Sequence, residues 1–186
     1  SGACRKKKMP DYNLALLCLD KNQEDALCRL SQNLAALAPS LYILGINSLP
    51  HVSVVQFQAE AYELESIWQA AQALSAAPIQ VKALRYYWSG ELRADHHAYT
   101  GIEVDKPEEL LELQRALLSL LPNKKPNNAT GKDYFPHFTL GYNRFAPETP
   151  VMHALCRTEE IWGRPMSLRL ALGRAGPEWQ FEKVLF

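Results

Sequence analysis

The 186-residue chain has no surplus of charge of either sign, since twenty lysines and arginines face twenty aspartates and glutamates. That balance excludes the broad basic field by which proteins collect long duplex nucleic acid through counterion release, and it favours a small or short substrate. Long apolar runs are missing as well. The longest, Leu14 to Leu19, falls far short of the roughly 20 residues a membrane-crossing helix needs, so no membrane partner is expected. Cys4, Cys18, Cys28 and Cys156 contain no C-x-x-C pair, and are expected as reduced thiols in a reducing, cytoplasmic setting. There is no Asp-x-Asp pair to seed a metal site, so no metal is expected, and no other cofactor is expected either; no short tandem repeat breaks the chain into units. The first residue is Ser1, and Ser1-Gly2-Ala3-Cys4 precedes the basic run Arg5-Lys6-Lys7-Lys8. Residues 1–10 read as an appended segment or flexible tail. A processed lipid-attachment signal is the alternative, but it lacks the apolar stretch such signals carry.

What is present suffices for a real core: 47% of the residues are hydrophobic, enough for one domain of two intertwined lobes over residues 1–186, expected as a monomer. A strand is predicted over Tyr12 to Leu19, then a helix from Asn22 to Ala38 with Leu27, Leu30, Leu34 and Leu37 on one face, stopped by Pro39. Leu41 to Leu44 reads as a short strand, and the valine-rich His51 to Phe57 as a good one. Glu60 to Ser75 returns to helical spacing. Pro78 opens one long extended stretch to Trp88, and a second covers Ala98 to Val104. A helix from Lys106-Pro107-Glu108-Glu109 to about Leu121 has Pro and acids at its start. The Pro122 to Asp133 loop, rich in Pro, Asn, Gly and Lys, reads as mobile and delivers a strand at His137 to Tyr142. A fourth helix is predicted over Pro147 to Glu160, then strands near Met166 to Gly173 and Trp179 to Leu185 around a Gly176-Pro177 turn. The two halves echo each other, each with helices and a strand opened by Pro-His.

The echo is sharpest in Leu49-Pro50-His51-Val52-Ser53-Val54 and Phe135-Pro136-His137-Phe138-Thr139-Leu140. Residues two apart on a strand share a face, so His51 and Ser53 point one way while Val52 and Val54 enter the core. His137 and Thr139 repeat the arrangement, with Gly141 expected to leave that face open beyond them. A lone His-x-Ser is more often a satisfied core histidine than a site. Serine and threonine number only 15, however, so two such matches among five histidines would arise by chance about once in twenty, before the shared Pro and flanks are asked for. His96, His97 and His153 do not fit the pattern.

The residue types suit displacement at phosphorus. Imidazoles titrate near neutrality, so one can act as neutral base and the other as charged acid for the entering and leaving oxygens. Hydroxyls beside them can donate to the non-bridging phosphoryl oxygens.

These paired motifs resemble the mark of the two-histidine phosphoesterase superfamily. Their separation of 86 residues looks like that of the LigT-like branch, known as 2′-5′ RNA ligases or RNA 2′,3′-cyclic phosphodiesterases. Tyr99 to Leu121 and the closing hairpin from Leu172-Gly-Arg to Gly176-Pro-Glu-Trp179 look like that branch too. The resemblance implies a bilobal α+β fold, with two antiparallel sheets facing a central groove, helices outside, and lobes duplicated about a pseudo-two-fold. It also implies metal-independent hydrolysis of a 2′,3′-cyclic phosphodiester at an RNA end or nucleotide to a 2′-phosphate. Carried over, His51 and His137 are the acid and base, and Ser53 and Thr139 the phosphate ligands. Ser53 departs from the commoner Thr, and no Arg directly follows the second motif, although Tyr142 and Arg144 stand nearby.

Substrate contacts are expected from Tyr134, Tyr142, Arg144 and Lys132. Tyr86-Tyr87-Trp88, Lys124 and Lys125 are further candidates of the stacking or phosphate-holding type. Asp95-His96-His97 tempts a metal reading, but adjacent residues of an extended segment face opposite ways, and a polar turn is expected. The alternatives to cyclic phosphate hydrolysis are a 2′-5′ oligonucleotide phosphodiesterase or RNA-tail exonuclease, a two-histidine metal centre, and an RNA-binding module without turnover.

Overall fold

The computed structural model describes residues 7–89, 97–144 and 161–186. The predicted helix at 147–160, the Asp95-His96 turn, Cys4 and Cys156 lie outside them. The described elements are β1 (Asp11–Cys18), α1 (Lys21–Leu37), β2 (His51–Gln58), a 3-10 turn (Ala61–Glu63) running into α2 (Leu64–Gln72), β3 (Ile79–Val81), β4 (Ala83–Trp88), β5 (His97–Val104), α3 (Glu108–Leu120), a second 3-10 turn (Gly131–Asp133), β6 (His137–Arg144), β7 (Met166–Ala175) and β8 (Phe181–Val184). The α+β class is as expected. Among the described residues, no helix is long and apolar enough to cross a membrane.

The strands form one antiparallel sheet in the order β3-β7-β1-β2-β6-β5-β4, with β8 also on β7. The two sheets expected from the sequence are therefore halves of one, joined between the motif strands at the single pair Val52–Phe138. The remaining pairings lie within a half: β1 with β2 and β7, and β5 with β6 and β4. The stretch predicted as one strand from Pro78 to Trp88 breaks at Lys82, whose N–H donates to Asp105 Oδ1 at 2.7 Å while Asp105 N–H donates back to its carbonyl. Lys82 alone separates β3 from β4, yet these are opposite ends of the strand order. The sheet must therefore curl until its edges meet there.

Two of the helices pack on the other half's motif strand: α1 covers β6, and α3 covers β2. Leu27, Leu30 and Leu34 of α1 and Leu110, Leu113 and Leu117 of α3 occupy matching positions, and all six are buried in one core. At about 1.5–3 kcal/mol for each buried leucine, this stripe holds the helices down far better than their intrinsic propensity would. Asp20 caps α1 by accepting the Asn22 N–H at 2.8 Å.

Leu41 to Leu44 is not a strand. After the Ser40–Asn143 bridge and a single bond from Leu41 N–H to Tyr142 O, the Ser31 hydroxyl takes the Leu44 N–H at 2.9 Å and draws the chain off the sheet edge. In the other half, the loop before β6 is tethered in the same manner to β2: Asn127 N–H donates to Gln56 O, and the Asn128 side chain bonds Gln56 N–H and Val54 O.

Candidate active site

Each motif strand carries a β-bulge just past its hydroxyl residue. In β2 the register jumps from Ser53–Ala15 to Val55–Leu14, leaving Val54 as the extra residue. In β6 it jumps from Thr139–Gly101 to Gly141–Thr100, leaving Leu140 extra. A bulged residue loses its ladder partner, so its carbonyl must be satisfied otherwise. Val54 O accepts from Gln114 Nε2 of α3 at 3.0 Å, and Leu140 O accepts from Ser31 Oγ of α1 at 2.6 Å. The same two side chains each take a loop N–H, from Gly131 and Leu44 respectively. Ser31 and Gln114 thus occupy equivalent places and do equivalent jobs.

The bulges also correct the simple alternation. Beyond Ser53 the groove face is resumed by Gln56, and Val55 joins Val52 and Val54 in the core. Beyond Leu140, Gly141 turns away from the groove: a Cβ there would meet Asn143 Oδ1 and Ser40 Oγ. It opens no space beside Thr139.

His51, Ser53, His137 and Thr139 all line one cavity of about 690 Å³. Both rings are held alike. His51 Nδ1 lies 2.9 Å from Leu49 O, and His137 Nδ1 lies 2.6 Å from Phe135 O. A carbonyl only accepts, so each Nδ1 carries the proton, and Nε2 is left for the cavity. The environments differ. His51 is buried against Phe181, with ring centres 5.5 Å apart, and burial is the main force lowering its pKa to about 4, with the neighbouring His137 adding to it. His137 lies edge-on to Tyr87 at 5.1 Å. Burial lowers its pKa too, and Glu103, its cross-strand partner, opposes the fall.

The hydroxyls are also set differently. Ser53 Oγ accepts from Asn13 Nδ2 at 2.8 Å and Gln56 Nε2 at 3.1 Å. With both lone pairs engaged, its own O–H is left to donate. Thr139 stands beside the half-buried Tyr87, whose covered phenol oxygen is pushed up in pKa chiefly by burial.

Of the other predicted contacts, Tyr134, Tyr142, Arg144 and Lys132 do not line this cavity. Tyr134 is buried and donates its hydroxyl to Ser53 O at 2.7 Å, bracing the first motif strand. Tyr142 is buried in a stack with Tyr99 and His97. Arg144 is exposed at the end of β6, and Lys132 is exposed beside α3. Lys124 pairs with Glu63 at 2.8 Å. Among the described residues, no lysine or arginine lines the cavity, and no group of three or more His, Cys, Asp or Glu gathers as metal ligands. Cys18 and Cys28 are free, and burial pushes the Cys18 thiol up to about 12.

The sequence reading missed Tyr42, Gln56, Tyr99, Asn127, Asn128, Glu178 and Trp179, which complete the walls. Tyr99 donates its hydroxyl to Glu178 at 2.8 Å. Trp179 carries a φ of 59°, a left-handed conformation that bulky residues avoid, within a turn closed by the bond from Gly176 N–H to Gln180 O. Such strain in a cavity wall is a pointer to function.

Searched by sequence, the chain matches no protein-family model and no curated protein. Its structure does have counterparts. The crystal structure of Escherichia coli LigT complexed with phosphate superposes with a TM-score of 0.58 at 11% identity, covering 96% of both chains. The chain has the LigT fold. TT0787 of Thermus thermophilus superposes with a TM-score of 0.57 at 15% identity, over 94% of this chain and 95% of that one. The α+β class and LigT-like fold expected from the resemblance are thus found, with one continuous sheet in place of the expected two.

Proposed function

We propose that this protein is a phosphoesterase that hydrolyses 2′,3′-cyclic phosphodiesters at RNA ends or on nucleotides, without a metal, to give a 2′-phosphate. The observation that carries the reading is the meeting of two imidazoles and two hydroxyls in one cavity, each imidazole presenting Nε2. The phosphate in the similarly folded E. coli LigT is consistent with a phosphoryl group there. Residues 1–186 are read as one domain, a reading supported by the packing of α1 on β6 and of α3 on β2 across the two halves.

His51 is the base and His137 the acid. His51 loses its proton first, because burial lowers its pKa to about 4, while the Glu103 carboxylate helps His137 keep its own. Neutral His51 takes a proton from water at Nε2 as the water oxygen bonds to phosphorus. The bond from phosphorus to the 3′-oxygen breaks, and His137 Nε2–H protonates that oxygen. Positioning together with acid and base catalysis, at about 10²–10⁴-fold per proton transfer, is enough for a strained ring. Ser53 and Thr139 donate to the non-bridging oxygens, and Trp179 and Tyr42 offer faces for the nucleoside.

The deciding experiment incubates an oligonucleotide ending in a 2′,3′-cyclic phosphate with the protein in excess chelator and identifies the product. A 2′-phosphate end is expected. An intact cyclic end in chelator that is cleaved once a divalent ion is restored would replace this mechanism with a metal centre. Cleavage of a linear 2′-5′ oligoadenylate in preference to the cyclic end would favour the oligonucleotide phosphodiesterase reading.

A further inference from the structure

The phosphoryl site has a donor that the paired motifs do not encode. Tyr87 lies on β4, which is not hydrogen-bonded to the motif strand β6, since β5 runs between them. Its side chain reaches Thr139 by lying across Gly101, the residue paired with Tyr87 on one side and with Thr139 on the other. A Cβ on Gly101 would stand 2.1 Å from the Phe138 carbonyl oxygen, 2.7 Å from Tyr87 Cε1 and 2.9 Å from the Tyr87 hydroxyl oxygen, so both the neighbouring backbone and the phenol need the glycine. A glycine inside a strand often marks such a close approach, and here it lets a phenol cross to the neighbouring strand. The ring then packs edge-on against both Phe135 and His137 at 5.0 and 5.1 Å.

The hydroxyl this crossing delivers is buried, lines the cavity and has no hydrogen-bond partner of good geometry. A buried, unpaired phenol is destabilising, a penalty usually removed by a partner or retained for function. Thr139 is the polar side chain beside it. The pseudo-symmetric position in the first half is Ala171, paired with Ala15 across from Ser53, so no equivalent hydroxyl exists there. The asymmetry has a chemical meaning. Charge gathering on the phosphoryl oxygens needs donors, and among the described residues no lysine or arginine lines the cavity to supply them. Ser53 and Thr139 provide two neutral donors. A third, fixed on rigid strands, would stabilise the transition state without reorganisation.

We propose that Tyr87 is a third phosphoryl ligand, its hydroxyl donating to a non-bridging oxygen on the Thr139 side of the site. This rests on the phosphodiesterase reading above. Its phenol stays protonated at working pH because burial raises its pKa, so it acts as donor and not as base. A site built from three hydroxyls suits the single negative charge of a diester better than the double charge of a terminal monoester, which is also the product to be released.

Tyr87→Phe keeps the ring against His137 and removes only the oxygen. In hydrolysis of a nucleoside 2′,3′-cyclic phosphate, kcat should fall about 10- to 100-fold and KM should rise no more than several-fold, while the melting temperature holds or rises. A parallel calorimetric titration with inorganic phosphate should show binding several-fold weaker in Tyr87→Phe. Unchanged kcat in the variant would overturn the assignment, as would an equal loss of activity and of thermal stability. If wild-type protein turned over no cyclic phosphate, the proposed activity would fail, and the titration would still decide Tyr87: equal phosphate binding in both proteins sinks it.

Discussion

At the first motif, His51 is buried beneath Phe181 and Ser53 is pinned by two amides; at the second, His137 is more open, beside Tyr87 and a carboxylate, and Thr139 has a phenol for company. The backbone devices beneath them are the same: a Pro-His entry, an Nδ1 bond to the carbonyl two residues earlier, a bulge past the hydroxyl, and a helix side chain on the bulge carbonyl. Each ring is also seated by a glycine elsewhere. Gly101 makes room for Tyr87 against His137, and Gly173 makes room for Phe181 against His51. The lesson is that the duplicated frame fixes where the four groups meet, and the unlike neighbours set what each does. Unlike surroundings fix which of two imidazoles gives up its proton first, and so which serves as base and which as acid.

Removing either imidazole tests the pairing most severely. His51→Ala and His137→Ala should each lower kcat/KM for a 2′,3′-cyclic nucleotide by about 10²–10⁴-fold. The double variant should lose far less than the product of the two, because the groups act as a unit. Full activity in either single variant would dissolve the comparison.

The next effect is on stability. His51 has an unfolded-state pKa near 6.5 and about 4 when folded, so the unfolded chain binds the extra proton throughout that window. The stabilisation is complete above pH 6.5 and is lost as the pH falls toward 4; at roughly 1.4 kcal/mol per tenfold change in proton affinity it amounts to about 3 kcal/mol. Urea unfolding between pH 7 and 4 should show wild-type protein losing that much more than His51→Gln. Parallel curves for the two would place the cause of acid lability elsewhere. His137 adds in the same direction, its pKa also being lowered by burial.

Smaller again are the two bulge supports. Ser31→Ala strands the Leu140 carbonyl and a loop N–H, while Gln114→Leu strands the Gly131 N–H and leaves the Val54 carbonyl to Asn128 alone, and each should cost about 1–3 kcal/mol in chemical denaturation, Ser31→Ala the more. The halves would then differ in activity as well as stability: Gln114→Leu loosens the loop bearing Asn127 and Asn128 in the cavity wall, whereas Ser31→Ala loosens the one bearing Tyr42. A neutral result for both would mean that the bulges hold without their helices.

The frame was legible because its signals are local and periodic. Leucines at helical spacing announced α1 and α3, and Pro-His-x-hydroxyl announced β2 and β6, down to the face shared by each histidine and its hydroxyl. The supports were hidden for physical reasons. A bulge leaves no residue signature, so strict alternation promised an open face at Gly141 that the Leu140 bulge removes. Tyr42, Tyr99, Glu178 and Trp179 come from distant segments that only the curled sheet brings together, whereas Tyr134 and Tyr142, near the motif in sequence, are committed to packing. One signal was available: Gly101, alone inside a β-branched and aromatic strand, marks where another side chain must cross.

The finest difference between the halves is the residue paired across from each histidine, Leu17 for His51 and Glu103 for His137. Glu103 is mostly covered and ion-paired with Arg85, so Glu103→Gln preserves shape while removing the charge that favours protonated His137. An acid that holds its proton less well fails at lower pH. The basic limb of the kcat/KM profile should therefore move down, with a loss on the order of a few-fold on that limb, while the acidic limb set by His51 stays in place. Movement of the acidic limb alone would mean that the charge tunes the base, and the roles of the two histidines would have to be exchanged.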